Sequence, residues 1–195
     1  MDIFKGRGVI LASASPRRRE LLAQIGVIAS VRPAAVAELV FHPGDHPGEL
    51  VRKNALLKAK AAVRMGEQTL IIAGDTLVFV AGAALGKPRD AAEAIGMLQA
   101  LSGKTHQVYS GLCLVDQSNG RQQSAYSCTA VEFARLSPGM IADYVASGEP
   151  LDKAGAYGIQ GQGALLVRGI VGDYGTVVGM SLPLLAQLAA QLLAE

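Results

Sequence analysis

The sequence predicts an α/β protein built on a mixed β-sheet with flanking helices. Three observations carry that expectation. Short apolar runs alternate with helical patterns along most of the chain, two later apolar runs are joined by Ser118-Asn119-Gly120, and half of the 195 residues are hydrophobic. Interleaved strands and helices favour parallel pairing, whereas Asn-Gly between apolar runs is a strong hairpin signal, so both senses are expected in one sheet.

The first apolar run, residues 9–13, ends in small polar residues and reads as a buried strand leading into a loop. Pro16 sits where a first helical turn accepts proline, Ser15 is a suitable N-cap, and the helix over 19–26 closes at Gly26. A second strand is expected over 27–33. Between residues 48 and 66 alanine, leucine and lysine recur at helical spacing, with glycine at each end. Residues 69–73 form another buried strand, expected to break at Gly74-Asp75 and resume over 77–80, after which Ala81-Gly82 turns. A helix over 91–101, strands over 106–115 and 124–135, and a helix from Ser137-Pro138 to Ser147 follow. A glycine-rich stretch, a strand over 165–171 and a terminal helix over 182–194 complete the order.

Composition narrows the function classes. A formal net charge of +2 argues against a nucleic acid polymer as partner, so anion recognition must come from a local basic cluster. The two cysteines, Cys113 and Cys128, fall on runs expected to be neighbouring strands and read as small buried hydrophobes, a usage that fits a reducing compartment. No signal-like apolar region follows residues 1–7, and no apolar run approaches the roughly 20 residues that span a bilayer. A cytoplasmic protein with no membrane partner is the expectation. His42, His46 and His106 lack zinc-site spacing, and the first two are expected in a solvated loop.

Four segments stand out chemically. Ser13-Ala14-Ser15-Pro16-Arg17-Arg18 joins a strand to a helix N-terminus, where hydroxyls, backbone N–H groups and guanidiniums suit a polyphosphate. The plain alternative is an N-capped helix with solvated arginines. Cations in a first turn oppose the helix dipole by roughly 0.3–1 kcal/mol each, which a bound anion would explain. Gly74-Asp75-Thr76 follows an apolar run, so the Asp75 carboxylate is expected at a strand end, able to hold a divalent metal or accept a proton from water. Lys87 in Gly86-Lys87-Pro88-Arg89 lacks the spacing of a phosphate loop and reads by itself as a solvated lysine. Residues 152–161 combine glycines with Gln160, whose amide offers one donor and one acceptor edge to a base. Of Lys58 and Lys60, at most one can enter a site, because residues two apart on a helix diverge by about 200°. Glu38 is a second candidate carboxylate.

Taken in order, these segments resemble the Maf family of nucleoside triphosphate pyrophosphatases. The matching stretches are residues 11–22, 55–59, 74–76, 86–90, 101–106, 144–161 and 177–179, together covering the span from 9 to 184. The resemblance implies a single domain over 1–195 with two lobes, an elongated mixed sheet with flanking helices like that of inosine triphosphate pyrophosphatases, and a cleft between the lobes. It implies attack by water between the α- and β-phosphates with a divalent cation, Mg or Mn. Ser13, Arg17, Arg18, Lys58 and Lys87 would hold the triphosphate, Asp75 would be the catalytic proton acceptor, and Glu38 with Asp75 would supply the metal carboxylates. Whether Asp75 deprotonates water itself or positions the metal stays open at this level.

Within that family, Arg17, Thr76 and Gln160 match the branch acting on dTTP and UTP at three diagnostic places; the branch acting on 7-methylguanosine triphosphate carries tryptophan, glutamine and glutamate there. A pyrimidine imide edge presents acceptor, donor and acceptor, which an amide complements. The implied role is hydrolysis of dTTP and UTP, extending to modified nucleotides and linked to arrest of cell division. The alternatives are a 7-methylguanosine triphosphate or broad-specificity pyrophosphatase, and a nucleotide-binding regulator of septum formation. This fold type often dimerises, so a homodimer is a candidate assembly, with the oligomeric state itself left open by the sequence. Three departures accompany the match: Ala37 precedes Glu38 where aspartate is common, the arginine-to-lysine spacing before Lys58 is one residue longer than usual, and Ser181 replaces a common proline.

Overall fold

The strand expected to break at Gly74-Asp75 runs straight through both residues. The computed structural model describes residues 2–194; Met1 and Glu195, the ends of the domain expected over 1–195, lie outside the described residues. The strands are β1 (Gly8–Leu11), β2 (Ala29–Val31), β3 (Thr69–Val80), β4 (Ala83–Leu85), β5 (Thr105–Asp116), β6 (Gln122–Phe133) and β7 (Val167–Val171). They form one sheet in the order β2-β1-β3-β5-β6-β7, with β4 pairing β3 off that path. β1 is parallel to β2 and β3, while β3 with β4 and β6 with β7 are antiparallel, so the sheet is mixed as the sequence predicts. The helices are α1 (Pro16–Gln24), α2 (Pro47–Ala62), α3 (Ala91–Leu101), α4 (Pro138–Ala146), α5 (Tyr174–Val178) and α6 (Leu182–Leu192). Among the described residues, no helix is long and apolar enough to cross a membrane.

The chain divides into two compact units assembled from interleaved segments. The first comprises Met1–Asp75, Ser110–Ser127 and Gly179–Glu195; the second comprises Thr76–Tyr109 and Cys128–Val178. β3, β5 and β6 each contribute to both.

In the first unit α2 lies close against the sheet because its buried face is rich in alanine. Ala55, Ala59 and Ala62 pack with Ile10, Ala12, Ile71, Ala73 and Cys113 in one buried cluster. A Cβ on Gly111 of β5 would stand 2.2 Å from the Val51 carbonyl oxygen of α2, so helix and strand backbones touch there and only glycine fits. Pro47 opens the helix, and His46 Nδ1 accepts the Gly48 N–H at 3.1 Å. His46, expected as one more loop histidine, is the helix cap although it is exposed.

The second unit has a bulkier core. Leu98 and Leu101 of α3 and Ile141, Tyr144 and Val145 of α4 pack with Val131 and Phe133 of β6 and with Tyr157. Within it His106 is 2 % exposed, its Nε2 lies 2.7 Å from Tyr157 Oη, and its ring meets Phe133 edge-on at 4.9 Å. The His106 Nδ1 has no hydrogen-bond partner among the described residues.

The departures from expectation have identifiable physical causes. β3 continues through Gly74 and Asp75 because the missing Cβ leaves room for Arg18 and the Asp75 carboxylate finds partners inside the fold. Ala81 (φ 48°) and Gly82 (φ 84°) form a two-residue turn with positive φ at both positions, which returns the chain as the unpredicted β4. The 117–121 loop does join β5 to β6, but only Gly120 has positive φ, and Asp116 holds the loop by accepting from Ser118 N–H and Asn119 Nδ2. Cys113 is buried as expected, whereas Cys128 is exposed: the β6 pleat turns its neighbour Thr129 inward and Cys128 outward.

Burial lowers the His106 pKa to about 4, against about 6.5 in an unfolded chain. The unfolded state therefore binds more protons between those values. The stability contribution of neutral His106 is complete above pH 6.5 and is lost as pH falls toward 4. Between pH 7 and pH 4.5 the protein should lose about 2 to 3 kcal/mol more stability than its His106→Gln variant. Urea unfolding of both proteins at the two pH values checks this; equal losses would count against a buried neutral imidazole.

Candidate active site

β1 ends at Leu11 and hands the chain to a short loop before α1. The Ala12 N–H donates to the Ile72 carbonyl at 2.7 Å, which keeps the loop in step with β3. Ser15 occupies the N-cap position of α1, but its side chain makes no capping bond. Ser13 organises the loop instead: its Oγ accepts from the Ser15 N–H at 3.2 Å and from Arg18 Nη1 at 2.9 Å. Arg18 Nε donates to the Gly179 carbonyl at 2.9 Å, and Ser110 Oγ donates to the same oxygen at 3.1 Å. A Cβ on Gly74 would sit 3.0 Å from Arg18 Nε and 3.2 Å from the Gly111 carbonyl oxygen, so that glycine makes room for the guanidinium.

These contacts correct one step of the sequence argument. Arg18 stands in the first turn of α1 against the helix dipole, yet it is buried and answered by protein acceptors, so its placement needs no bound anion. Burial holds its guanidinium below the usual pKa; Asp75 opposes that shift, Arg17 adds to it, and Glu38 opposes it. Arg17 is half-buried and Arg19 exposed.

Asp75 lies in the middle of β3 rather than at the strand end expected for it, and is 9 % exposed. Its Oδ1 accepts from Lys58 Nζ at 2.7 Å and its Oδ2 from Asn54 Nδ2 at 3.1 Å. Asn54 and Lys58 are four residues apart on α2 and therefore share a face. Lys60 is exposed, as the helical geometry requires if Lys58 turns inward. Lys58 Nζ also pairs with Glu38 Oε1 at 2.7 Å. Glu38 is held beside it because Asn54 clamps the next residue: Asn54 Oδ1 accepts from the Leu39 N–H at 2.8 Å, and Nδ2 donates to the Leu39 carbonyl at 3.1 Å. The first unit thus joins Glu38, Lys58 and Asp75 in one bonded group, and Arg18 with Ser13 in another that is electrostatically coupled to it.

The donor chemistry fits a hard divalent cation. Two carboxylates, Glu38 and Asp75, converge on one ammonium, and Mg-type sites commonly use one or two carboxylates completed by water and substrate phosphates. Among the described residues, no group of three or more His, Cys, Asp and Glu is placed to hold a metal without such help.

Thr76, Lys87 and Gln160 belong to the second unit. Thr76 follows Asp75 directly on β3. Lys87 is exposed in the loop after β4, where the preceding Gly86 carbonyl accepts from the Gly155 N–H at 2.9 Å. Gln160 is half-buried on the glycine-rich loop, which wraps the Glu149 carboxylate. Tyr144 Oη donates to Glu149 Oε1 at 2.9 Å, the Gln162 N–H to Oε2 at 3.0 Å, and the Gly163 N–H to Oε1 at 3.2 Å. The Gly158 N–H donates to Tyr144 Oη at 3.2 Å.

Asn54 and Glu149 are the residues that sequence reasoning missed. Asn54 left a readable signal, since it interrupts the small apolar face of α2 one turn before Lys58. Glu149 left none by spacing, because its role comes from a loop that returns to it more than ten residues later.

Comparison with known proteins places the chain. A family model described as "Maf-like protein" matches residues 8–192. A protein of Moorella thermoacetica named dTTP/UTP pyrophosphatase is 48% identical over 182 residues, covering 93% of each chain. One of the same name from Anaeromyxobacter sp. (strain Fw109-5) is 50% identical, covering 92% of this chain and 87% of its own. Another from Yersinia pestis bv. Antiqua is 46% identical, covering 95% and 93%. With the family model spanning nearly every residue and relatives at this identity over matching lengths, the chain belongs to the Maf-like protein family.

Proposed function

We propose that the protein is a nucleoside triphosphate pyrophosphatase that hydrolyses dTTP and UTP to the monophosphate and pyrophosphate. The observation that carries the proposal is the buried Asp75 carboxylate fixed at both oxygens by α2, in a chain similar along 93% of its length to a relative named for that activity. A carboxylate held in one orientation is suited to take a proton from water once Lys58 turns to the substrate phosphates.

In this reading Ser13, Arg17 and the N–H groups opening α1 bind phosphate oxygens, and Arg18 braces that loop as well as adding positive potential. Lys58 is poised to exchange a carboxylate for a phosphate oxygen, because its ammonium already bridges Glu38 and Asp75. Water attacks, its proton passes to Asp75, and the bridge between the α- and β-phosphates opens, so that pyrophosphate departs with its negative charge. A divalent cation, Mg or Mn, held by Glu38, Asp75 and the substrate phosphates would offset that charge. Lys87 is assigned to the phosphates, and Thr76 and Gln160 to the base, on their sequence match; Arg17 shares in that discrimination.

The reading makes four predictions. Asp75→Asn keeps an oxygen for Lys58 but removes the proton acceptor, so kcat for dTTP should fall by about 10²- to 10⁴-fold with nucleotide binding retained. Phosphorus NMR of the wild-type reaction should show the monophosphate and pyrophosphate, and orthophosphate as the initial product would sink the proposed bond. Chelation should abolish turnover and added Mg or Mn restore it, as a coupled assay of pyrophosphate release will report. Gln160→Glu replaces an amide by an acceptor-only group, and should lower kcat/KM for UTP at least about 10-fold relative to 7-methylguanosine triphosphate. An unchanged ratio would remove Gln160 from base recognition.

A further inference from the structure

The segment between β2 and α2 has no helix or strand over residues 32–46, and Glu38 and Val40 on it are exposed. At Leu39 it is fastened through both its N–H and its C=O, the way a strand is fastened by its neighbour. The neighbour here is a single side chain, Asn54, which is 3 % exposed on the buried face of α2. The orientation of that amide is fixed by its partners. The Leu39 N–H requires an acceptor, so Oδ1 faces it; the Asp75 carboxylate accepts, so Nδ2 faces Oδ2. Both Nδ2 hydrogens are thereby used, one on Leu39 and one on Asp75.

We propose that Asn54 is a positioning residue for the hydrolysis: one amide sets the rotation of the Asp75 carboxylate and, through Leu39, the placement of Glu38. The assignment rests on the reading of Asp75 as proton acceptor. Lys58 holds Oδ1 and Asn54 holds Oδ2, so the carboxylate cannot turn about its Cβ–Cγ bond without breaking one of the two. A bond serving only to anchor the strap would need Leu39 alone. The contact with Asp75 ties the anchor to the reacting group, so that Asn54 as well as the Lys58 ammonium links the two carboxylates.

Two variants of the full chain separate these effects. Asn54→Asp keeps an acceptor for the Leu39 N–H but loses both donors, whereas Asn54→Leu loses all three bonds. In each, kcat for dTTP at saturating Mg should fall about 10- to 100-fold, with KM changed by less than about 3-fold, because the transition-state geometry rather than binding is disturbed. The ¹³Cγ resonance of Asp75 at neutral pH should be displaced in both. Amide hydrogen exchange at Leu39 should accelerate in Asn54→Leu and stay near the wild-type rate in Asn54→Asp. Thermal melts of both variants control for folding, and the near-isosteric Asn54→Asp carries the test if Asn54→Leu does not fold. A folded variant with kcat within about 3-fold of wild type, a loss carried by KM alone, or an unmoved Asp75 resonance would overturn the assignment. Turnover retained by Asp75→Asn would instead overturn the proton-acceptor reading. The resonance and exchange data would still decide whether Asn54 holds the two groups.

Discussion

A carboxylate in the middle of a buried strand is the constraint from which the first unit follows. Removing such a group from water costs several kcal/mol unless charge and hydrogen bonds answer it. Asp75 is answered on both oxygens by one face of α2, so the helix must lie close, in register, and with Asn54 and Lys58 turned inward. The residue before it is glycine, and an added Cβ there would crowd Arg18 where it crosses to reach Ser13 and Gly179. A loop that the sequence presents as an anion site and a strand that it presents as broken are thus two sides of one packing solution.

The second unit solves a related problem with the opposite polarity of chain and side chain. There the carboxylate of Glu149 stays put and the backbone comes to it: Gln162 and Gly163 donate their N–H groups and Tyr144 its hydroxyl. Burial pushes the Tyr144 phenol above its ordinary pKa, which keeps that donor protonated throughout the physiological range. The glycine-rich loop carrying Gln160 is therefore shaped from inside, and its flexibility in sequence terms is not flexibility in place.

Much of this was legible in advance where local chemistry decides the outcome. α3 begins and ends where the pattern put it, because Asp90 caps it by accepting from the Glu93 N–H at 2.8 Å and its apolar spacing is regular. That only one of Lys58 and Lys60 turns inward followed from helical angle, and the choice of Lys58 from the family resemblance. What failed to show depended on partners distant in the chain. Gly74-Asp75 looks like a strand break until α2 supplies a cation and an amide. The burial of Arg18 cannot be read until Gly179 supplies a carbonyl 161 residues away. Each error came from pricing a polar group as if water were its only alternative.

The packing of α2 has a further meaning. Its buried face meets Ala12 and Ala73 between the larger Ile10 and Ile71, with Gly111 admitting backbone to backbone. Because Asn54 is short, its amide spans to Asp75 only at that spacing. The core of this unit is a spacer as well as an adhesive: it sets how far apart reactive groups stand. An apolar exchange that another core would absorb as a small loss of stability becomes, at Ala55 or Ala59, a change in the reach of the chemistry. Divergence in this layer is limited by geometry before it is limited by folding.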